Sequence, residues 1–376
     1  MIYLDYSATT FPDNEVIKEF NDAAKEYIGN PNSSHNLGIK AKKRIDAATL
    51  NISKILNVEP EEIIYTSGAS ESNNLAIKGI CKANKGKHII TTMLEHSSVI
   101  APINRLCNEG YEVSFVNLKD DGTIDIENLK SIIREDTVLV SIAGVDSELG
   151  ILQNINDIGD LLKEYPNCYF HVDATQMIGK VNFDFKNIDL ISFSAHKFFG
   201  IKGIGGLIKK KNVRLMTLVD GGKSTTKYRS GTPCLELIVS LEKALYLSYE
   251  NFNDKINYVK MLSRDIKDFL SKYNNIKINS TNKSINQIIN FSINNADKLV
   301  KMLDEKCIYI STKSACSNAD SLSKVVNTLY NDEQRASNSI RISVSYKTTI
   351  EEIEEFKKIF DECYRRMGDS NESIKI

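Results

Sequence analysis

Ser192-Phe193-Ser194-Ala195-His196-Lys197-Phe198-Phe199-Gly200-Ile201-Lys202-Gly203-Ile204-Gly205-Gly206 is the stretch on which the reading of this chain turns. Asp189 to Ser194 is an apolar run of strand length and Gly203 to Lys209 is another, so the polar turn between them lies at a strand end. Open α/β sheets bind their ligands at such ends. Lys197 stands in that turn between His196 and two aromatic residues, beside a glycine-rich return. Partial desolvation there favours the neutral amine, the form that makes a Schiff base with a carbonyl. A lone lysine is more often a surface residue, and perturbed lysines are not confined to functional sites. This window alone leaves both readings open.

A second strand end changes the balance. Tyr169 to Val172 is apolar and closes on Asp173-Ala174-Thr175-Gln176, which puts a carboxylate at the same sheet edge as Lys197. A Schiff-base lysine with an acidic partner for a pyridinium nitrogen is what a protein contributes to pyridoxal 5'-phosphate (PLP) chemistry. Upstream, Glu62 to Thr66 reads as a strand, and Ser67-Gly68-Ala69-Ser70 opens a helix through Leu75 and Ile77. Backbone N–H groups at a helix start, helped by a serine hydroxyl, suit a phosphate. Ordinary helix caps have the same composition.

Between these landmarks strands and helices alternate: His88 to Met93, a helix Ser98 to Asn108, Tyr111 to Val116, a helix Ile126 to Ile133, Thr137 to Ala143, and a helix Ile155 to Tyr165. Such alternation predicts an α/β fold, a mainly parallel sheet with helices on both faces. Near the N-terminus, Asp13 caps a helix carrying Val16, Phe20, Ala24 and Tyr27, stopped by Gly29-Asn30-Pro31. Lys209-Lys210-Lys211 reads as a solvated turn. One long helical stretch from Ser240 to about Tyr273 bridges to a smaller α+β C-terminal domain, which opens with a strand Ile285 to Ser292 and a helix Ala296 to Glu305. The expected division is a large ligand-binding domain, residues 1–255, and a small domain, residues 256–376, with segment 1–14 packing against the latter.

Composition narrows the function classes. The 376 residues, 41% of them hydrophobic, suffice for a sizeable core. Lys+Arg 48 against Asp+Glu 49 points away from nucleic acid or an acidic membrane as the main partner. No apolar run has the length of a membrane span, and Met1 to Asp5 lacks a signal peptide's basic start, so a cytoplasmic protein is expected. Seven cysteines without a Cys-x-x-Cys pair predict reduced thiols, with neither a disulfide framework nor a metal site. Cys316 alone is set among small polar residues in a loop, and the other six fall mostly in helix or strand patterns, where packing is the usual role. A loop thiol near a cation can be reactive, although many cysteines are inert. Arg341, inside the apolar Ser339-Ile340-Arg341-Ile342-Ser343, needs an anionic partner; a small planar carboxylate and a protein carboxylate both satisfy it. His96, just past a strand, has the position of a capping or core histidine as well as that of a catalyst.

In order and spacing, Tyr3-Leu4-Asp5-Tyr6-Ser7-Ala8-Thr9-Thr10, Thr66 to Asn74, Tyr169 to Gln176, Ser192 to Gly206 and Arg229-Ser230-Gly231-Thr232 resemble the class V aminotransferase family of PLP enzymes. Within it the chain looks most like the NifS/IscS-type cysteine desulfurases, from Tyr3 to about Thr349. The resemblance implies PLP fold type I, a homodimer, and conversion of L-cysteine to L-alanine with sulfur left on an enzyme cysteine as a persulfide, for an acceptor protein in a pathway such as iron-sulfur cluster assembly. It implies that Lys197 bears the cofactor, that Asp173 keeps the pyridine nitrogen protonated, and that Ala69 and Ser70 hold the phosphate with Thr232 of the neighbouring subunit. By the same resemblance His96 stacks on the ring and relays protons, Ser147 and Gln176 face the ring hydroxyl, and Ser194 and His196 flank the cofactor. Arg341 takes the substrate α-carboxylate, Asn30 borders the substrate pocket, and Cys316 of Ser314-Ala315-Cys316 is the nucleophile.

The chain departs from that pattern at Asp146 and Ser147, where relatives carry two asparagines, at Lys223 and Lys313, where they carry glycine, and at Ser345-Tyr346, where a glycine-containing pair is common. The rivals are another class V reaction, such as selenocysteine lysis or an aminotransferase or lyase step, and a non-catalytic PLP-fold scaffold.

Overall fold

The computed structural model describes residues 1–312 and 322–372. After a short strand β1 (Ile2–Tyr3), the Asp13 carboxylate accepts from Glu15 N and starts α1 (Asn14–Glu26). Val16 and Ala23, seven residues apart on one face, are its buried positions. Ala24, expected inside, is exposed because it is turned one residue off that stripe. α2 (Asn36–Leu56) follows and ends on Asn57 in the left-handed conformation.

The α/β body then runs β2 (Ile63–Thr66), α3 (Ala69–Ala83), β3 (His88–Thr91), α4 (Ser97–Cys107), β4 (Glu112–Phe115), α5 (Ile126–Ile132), β5 (Thr137–Ala143), α6 (Ile155–Leu162), β6 (Tyr169–Asp173), β7 (Leu190–Ser194) and β8 (Gly205–Lys209). These strands form one seven-stranded sheet in the order β2-β8-β7-β6-β5-β3-β4. It is mainly parallel, as the alternation predicts; β8 alone runs antiparallel to both neighbours. The connection from Ser194 to Gly205 is too short for a crossover helix, and a short return gives an antiparallel pair. Apolar residues cover both faces of the sheet, with β5, β7 and β8 buried throughout and β6 buried from Phe170 onward.

The expected single helix from Ser240 to Tyr273 is two, α7 (Leu235–Tyr249) and α8 (Phe252–Leu270). Asn251, with φ 50°, breaks the hydrogen-bond ladder between them. Beyond lie β9 (Lys277–Ile278), β10 (Ile288–Ser292), α9 (Ala296–Asp304), β11 (Ile308–Tyr309), α10 (Lys324–Tyr330), α11 (Glu333–Ser337), β12 (Ser339–Ser343) and α12 (Ile350–Glu372). The antiparallel sheet β12-β10-β9 shares a separate apolar cluster with α8, α9 and α12, and Ile2 and Leu4 belong to that cluster. β1 pairs with β11 and Asp5 bridges to Ser343, after which Thr10 N donates to His196 O. The N-terminal segment therefore runs from the small sheet to the lysine turn.

The basic run is only partly solvated. Lys211 is exposed, but Lys209 is buried, its Nζ donating to the carbonyls of Lys210 and Val213 and lying over the Tyr228 ring. Two cysteines also leave the packing pattern: Cys234, which precedes α7, and Cys307, at a turn with φ 59°, are exposed. Among the described residues no helix is long and apolar enough to cross a membrane.

Candidate active site

Sheet register brings the strand ends together. Ala143 pairs with Asp173, Asp173 with Ser192, and Ser194 with Gly205, which in turn pairs with Thr66. The residues that follow each end line a cavity of about 390 Å³. Ala69, Ser70, His96, Ser147, Asp173, Gln176, Ser194, His196, Lys197 and Arg341 all contribute to it. Ten sequence-designated residues from six stretches of chain thus meet at one place.

Lys197 closes a single 3-10 turn after β7, and its Nζ donates to the carbonyls of Ser7 and Ala8, each at 2.7 Å. Asp173 ends β6. Its Oδ2 accepts from Asn73 Nδ2 at 2.8 Å, and its Oδ1 accepts from the backbone N–H and hydroxyl of Thr175. His96 does cap α4, its Nδ1 accepting from Ser98 N at 3.1 Å, and it faces the cavity as well. Because Nδ1 accepts, the neutral ring carries its proton on Nε2. Burial holds His96 below the usual histidine range, so this neutral form dominates near pH 7. His196 bonds to Thr9 Oγ1; burial and the nearby lysines push it down to about 4.

Arg341, 2% exposed, meets the protein carboxylate that was one of the two anionic partners expected for it. Its Nη2 pairs with Asp5 at 2.8 Å and its Nη1 donates to Ser147 O at 2.7 Å, while Nε is buried without a partner among the described residues and the side chain still lines the cavity. Asp146, one of the departures, is a turn-builder: its carboxylate accepts from the N–H groups of Glu148, Leu149 and Ile151. That bonding holds Ser147 where its carbonyl meets Arg341.

The remaining candidates lie apart. Thr232 is exposed and lines a neighbouring cavity that shares Ser67 and Gly203 with the first. Asn30 is exposed, and its side chain accepts from Asn32 N. Cys316 and Lys313 lie outside the described residues.

The residues fit PLP. Gly68, with φ 151°, leads into α3, whose first N–H groups open at the cavity edge beside Ser70. A Cβ on Gly205 would come within 2.8 Å of Gly68 Cα, so a glycine there permits the close approach of β8 to this turn. Asp173 supplies a fixed carboxylate, and the unpartnered Ser7 Oγ and Arg341 Nε are buried polar atoms in a cavity that would otherwise leave them unsatisfied.

Some site residues escape sequence reasoning. Asn73 carries the one detectable signal, a polar residue on the stripe that holds Ala76, Ile77 and Ile80. Ser7 and Asp5 act through a docked N-terminal segment, which local sequence does not encode. Lys180, whose Nζ donates to Gln176 Oε1, follows a glycine in an unremarkable turn.

Comparison with known proteins gives one family. A model described as Aminotransferase class-V matches residues 2–356. The chain is 38% identical over 366 residues to a cysteine desulfurase IscS of Clostridium botulinum, covering 94% of this chain and 91% of that protein. It is 39% identical over 377 residues to a cysteine desulfurase IscS of Buchnera aphidicola, covering 97% and 93%. Among solved structures, a NifS-like protein superposes with a TM-score of 0.91 at 32% identity, covering 97% of this chain and 99% of that one. SspA, solved in complex with cysteine, superposes with a TM-score of 0.82 at 32% identity, covering 93% and 100%. A mainly parallel sheet with a lysine and an aspartate at adjacent strand ends, an N-terminal segment docked on that lysine, and likeness over nearly the full length together establish that the chain belongs to the class V aminotransferase family, in its NifS/IscS-type cysteine desulfurase branch.

Proposed function

We propose that this protein is a PLP-dependent desulfurase that converts L-cysteine to L-alanine. The observation that carries the reading is the convergence of Lys197, Asp173 and Arg341, from three separate strands, on one cavity. When bound, PLP supplies an electron sink for negative charge developing at the substrate Cα. Lys197 would hold the cofactor and serve as the base for the substrate's Cα proton; the Ser7 and Ala8 carbonyls are placed to hold the resulting ammonium. Asp173, fixed by Asn73 and Thr175, holds a proton at the pyridine nitrogen. Ala69 and Ser70 bind the phosphate, Ser147 and Gln176 face the ring hydroxyl, and Ser194 and His196 flank Lys197. Arg341 takes the α-carboxylate through its free donors, Asn30 borders the substrate, and His96 relays a proton. The Cys316 thiolate then attacks the substrate sulfur: an S–S bond forms, the Cβ–S bond breaks, and its electron pair stays on carbon, which is protonated to give alanine.

Thr232, which lines the neighbouring cavity and not the main one, completes the phosphate site of a second copy in a homodimer. Exposed Met216, Leu218 and Val219, just before the 220–232 loop, support that pairing. The persulfide passes to a sulfur-acceptor protein, in the cytoplasm, where free thiols stay reduced. The proposed domain division is at 255/256, within α8; the buried α8 residues Val259, Leu262, Ile266 and Leu270 in the small-domain cluster support it, whereas Ile285 and Ile288 pack in the large-domain cluster.

The test is an absorbance spectrum of purified protein with and without L-cysteine, with alanine and Cys316 persulfide assayed in the same sample. A PLP band, stoichiometric alanine and a persulfide on Cys316 are expected. A band that shifts with cysteine but yields no alanine would assign the site to another amino acid.

A further inference from the structure

The bonds around Gln176 fix the direction of its amide. Ser7 O can only accept, and Gln176 Nε2 donates to it at 2.9 Å, which leaves Gln176 Oε1 to accept from Lys180 Nζ. Nε2 carries two hydrogens, so one remains after Ser7 is served, and Gln176 lines the cavity in front of Lys197. Lys180 stands behind it, in a second, smaller hollow that Lys197 also borders.

The charge around Lys180 is one-sided. Lys197 and Arg341 are the charged groups that act on it, and both are cations. Among the described residues no carboxylate reaches ion-pair distance of its Nζ; Gln176 is its side-chain partner, and Gln287 Nε2 donates to its carbonyl. Burial and the two cations hold Lys180 well below the ordinary lysine range. A buried ammonium among cations is expensive until an anion joins it. The cavity in front is where the proposed cofactor would bring one, the oxygen of its ring hydroxyl.

We propose that Lys180 is a positioning residue for the cofactor: its Nζ–H fixes and polarises the Gln176 amide so that the remaining N–H of Nε2 points at the ring oxygen in its ionised form, and that anion offsets the buried ammonium. The inference rests on the PLP reading above. Hydrogen bonds that include a charged partner strengthen one another in a low-dielectric site, which is why a group one step removed from the cofactor can matter.

The test compares wild type, Lys180→Met, Gln176→Leu and the double variant as apoproteins, titrated with PLP. It reads the dissociation constant, the fraction of bound cofactor with an ionised ring oxygen from its absorbance, and the thermal midpoint without PLP. Lys180→Met is expected to bind PLP about tenfold more weakly, to show less ionised ring, and to be at least as heat-stable as wild type when apo. Gln176→Leu is expected to cost a similar factor, and the double variant no more than either alone. Lys180→Gln, which keeps a donor and removes the charge, serves if the methionine variant fails to fold and is expected to show the same loss of ring ionisation. Wild-type affinity and spectrum in Lys180→Met would overturn the proposal, and so would losses that add in the double variant. Wild-type protein that takes up no PLP would overturn the underlying reading too, and that control is read before any variant.

Discussion

Asn73 Nδ2 donates to Asp173 Oδ2 at 2.8 Å, and the same nitrogen donates to Ser98 Oγ at 2.9 Å. Ser98 Oγ in turn meets His96 Nδ1 at 2.8 Å. One buried amide on α3 therefore ties the carboxylate at the end of β6 to the histidine that starts α4. Asn73→Leu keeps the volume but strands the Asp173 oxygen and breaks the tie to Ser98. Leaving a buried acceptor unsatisfied costs about 1–3 kcal/mol, so the denaturant midpoint should fall and PLP retention weaken together. An unchanged midpoint with unchanged retention would show that Asp173 needs no such support.

Arg341 is committed to Asp5 before any substrate arrives. Asp5 is 17% exposed at its side chain against 2% for Arg341, so the pair is largely shielded from water. Arg341→Met should cost about 3 kcal/mol of stability because it leaves the Asp5 carboxylate without its cation. Adding Asp5→Asn should return part of that loss, and the non-additivity measures the pair. The two variants should differ in kinetics. Arg341→Met is expected to raise KM for L-cysteine by at least tenfold through the missing carboxylate contact, whereas Asp5→Asn keeps the guanidinium and changes KM far less. Equal KM effects would place the substrate carboxylate elsewhere.

Lys197 and Asp173 were legible in the sequence because one stands in the polar turn after an apolar strand and the other closes one, and the strand order of an α/β sheet places such ends together. Arg341 was legible as a cation that must have an anion, although sequence could not choose between a ligand and Asp5. What remained hidden depends on chain returning from afar. The Ser7 and Ala8 carbonyls reach Lys197 only after β1 has paired with β11. The break at Asn251 was invisible because apolar residues continue at helical spacing on both sides and neither glycine nor proline marks it. Lys209 looked solvated as one of three adjacent lysines, yet the loop at Val213 turns back to accept its ammonium.

Cofactor attachment and sulfur transfer are assigned to residues far apart in sequence, and two substitutions should separate them. Lys197→Ala removes the amine proposed to carry PLP and should abolish the visible absorbance band of the bound cofactor. Cys316→Ser should leave that band at wild-type intensity while persulfide and alanine formation fall to background, because a hydroxyl is a far poorer nucleophile toward sulfur than a thiolate. Persulfide formation that survives in Cys316→Ser would move the nucleophile to another thiol, with the exposed Cys234 and Cys307 the first to examine.

Glu95 sets a stability term whose pH dependence has a definite sign. Its Oε1 accepts from Thr92 Oγ1 and Ala143 N, whereas Oε2 is buried without a partner among the described residues. Burial pushes the carboxyl up to about 8, against the two hydrogen bonds that favour its ionised form. A carboxyl raised in the folded state binds its proton more tightly there than in the unfolded chain, so its contribution is full below the unfolded value of 4.5 and is lost as pH rises toward 8. Other groups titrate in this window: burial raises Asp146 to about 6 and lowers His171 and His196 to about 4. The difference between wild type and Glu95→Gln cancels them. Over pH 5 to 8 wild-type stability should fall relative to Glu95→Gln, with a slope of up to about 1.4 kcal/mol per pH unit, measured by urea unfolding at each pH. A flat difference would mean that the carboxyl ionises in place at its ordinary pH, and that Ala143 N and Thr92 suffice to hold the charge.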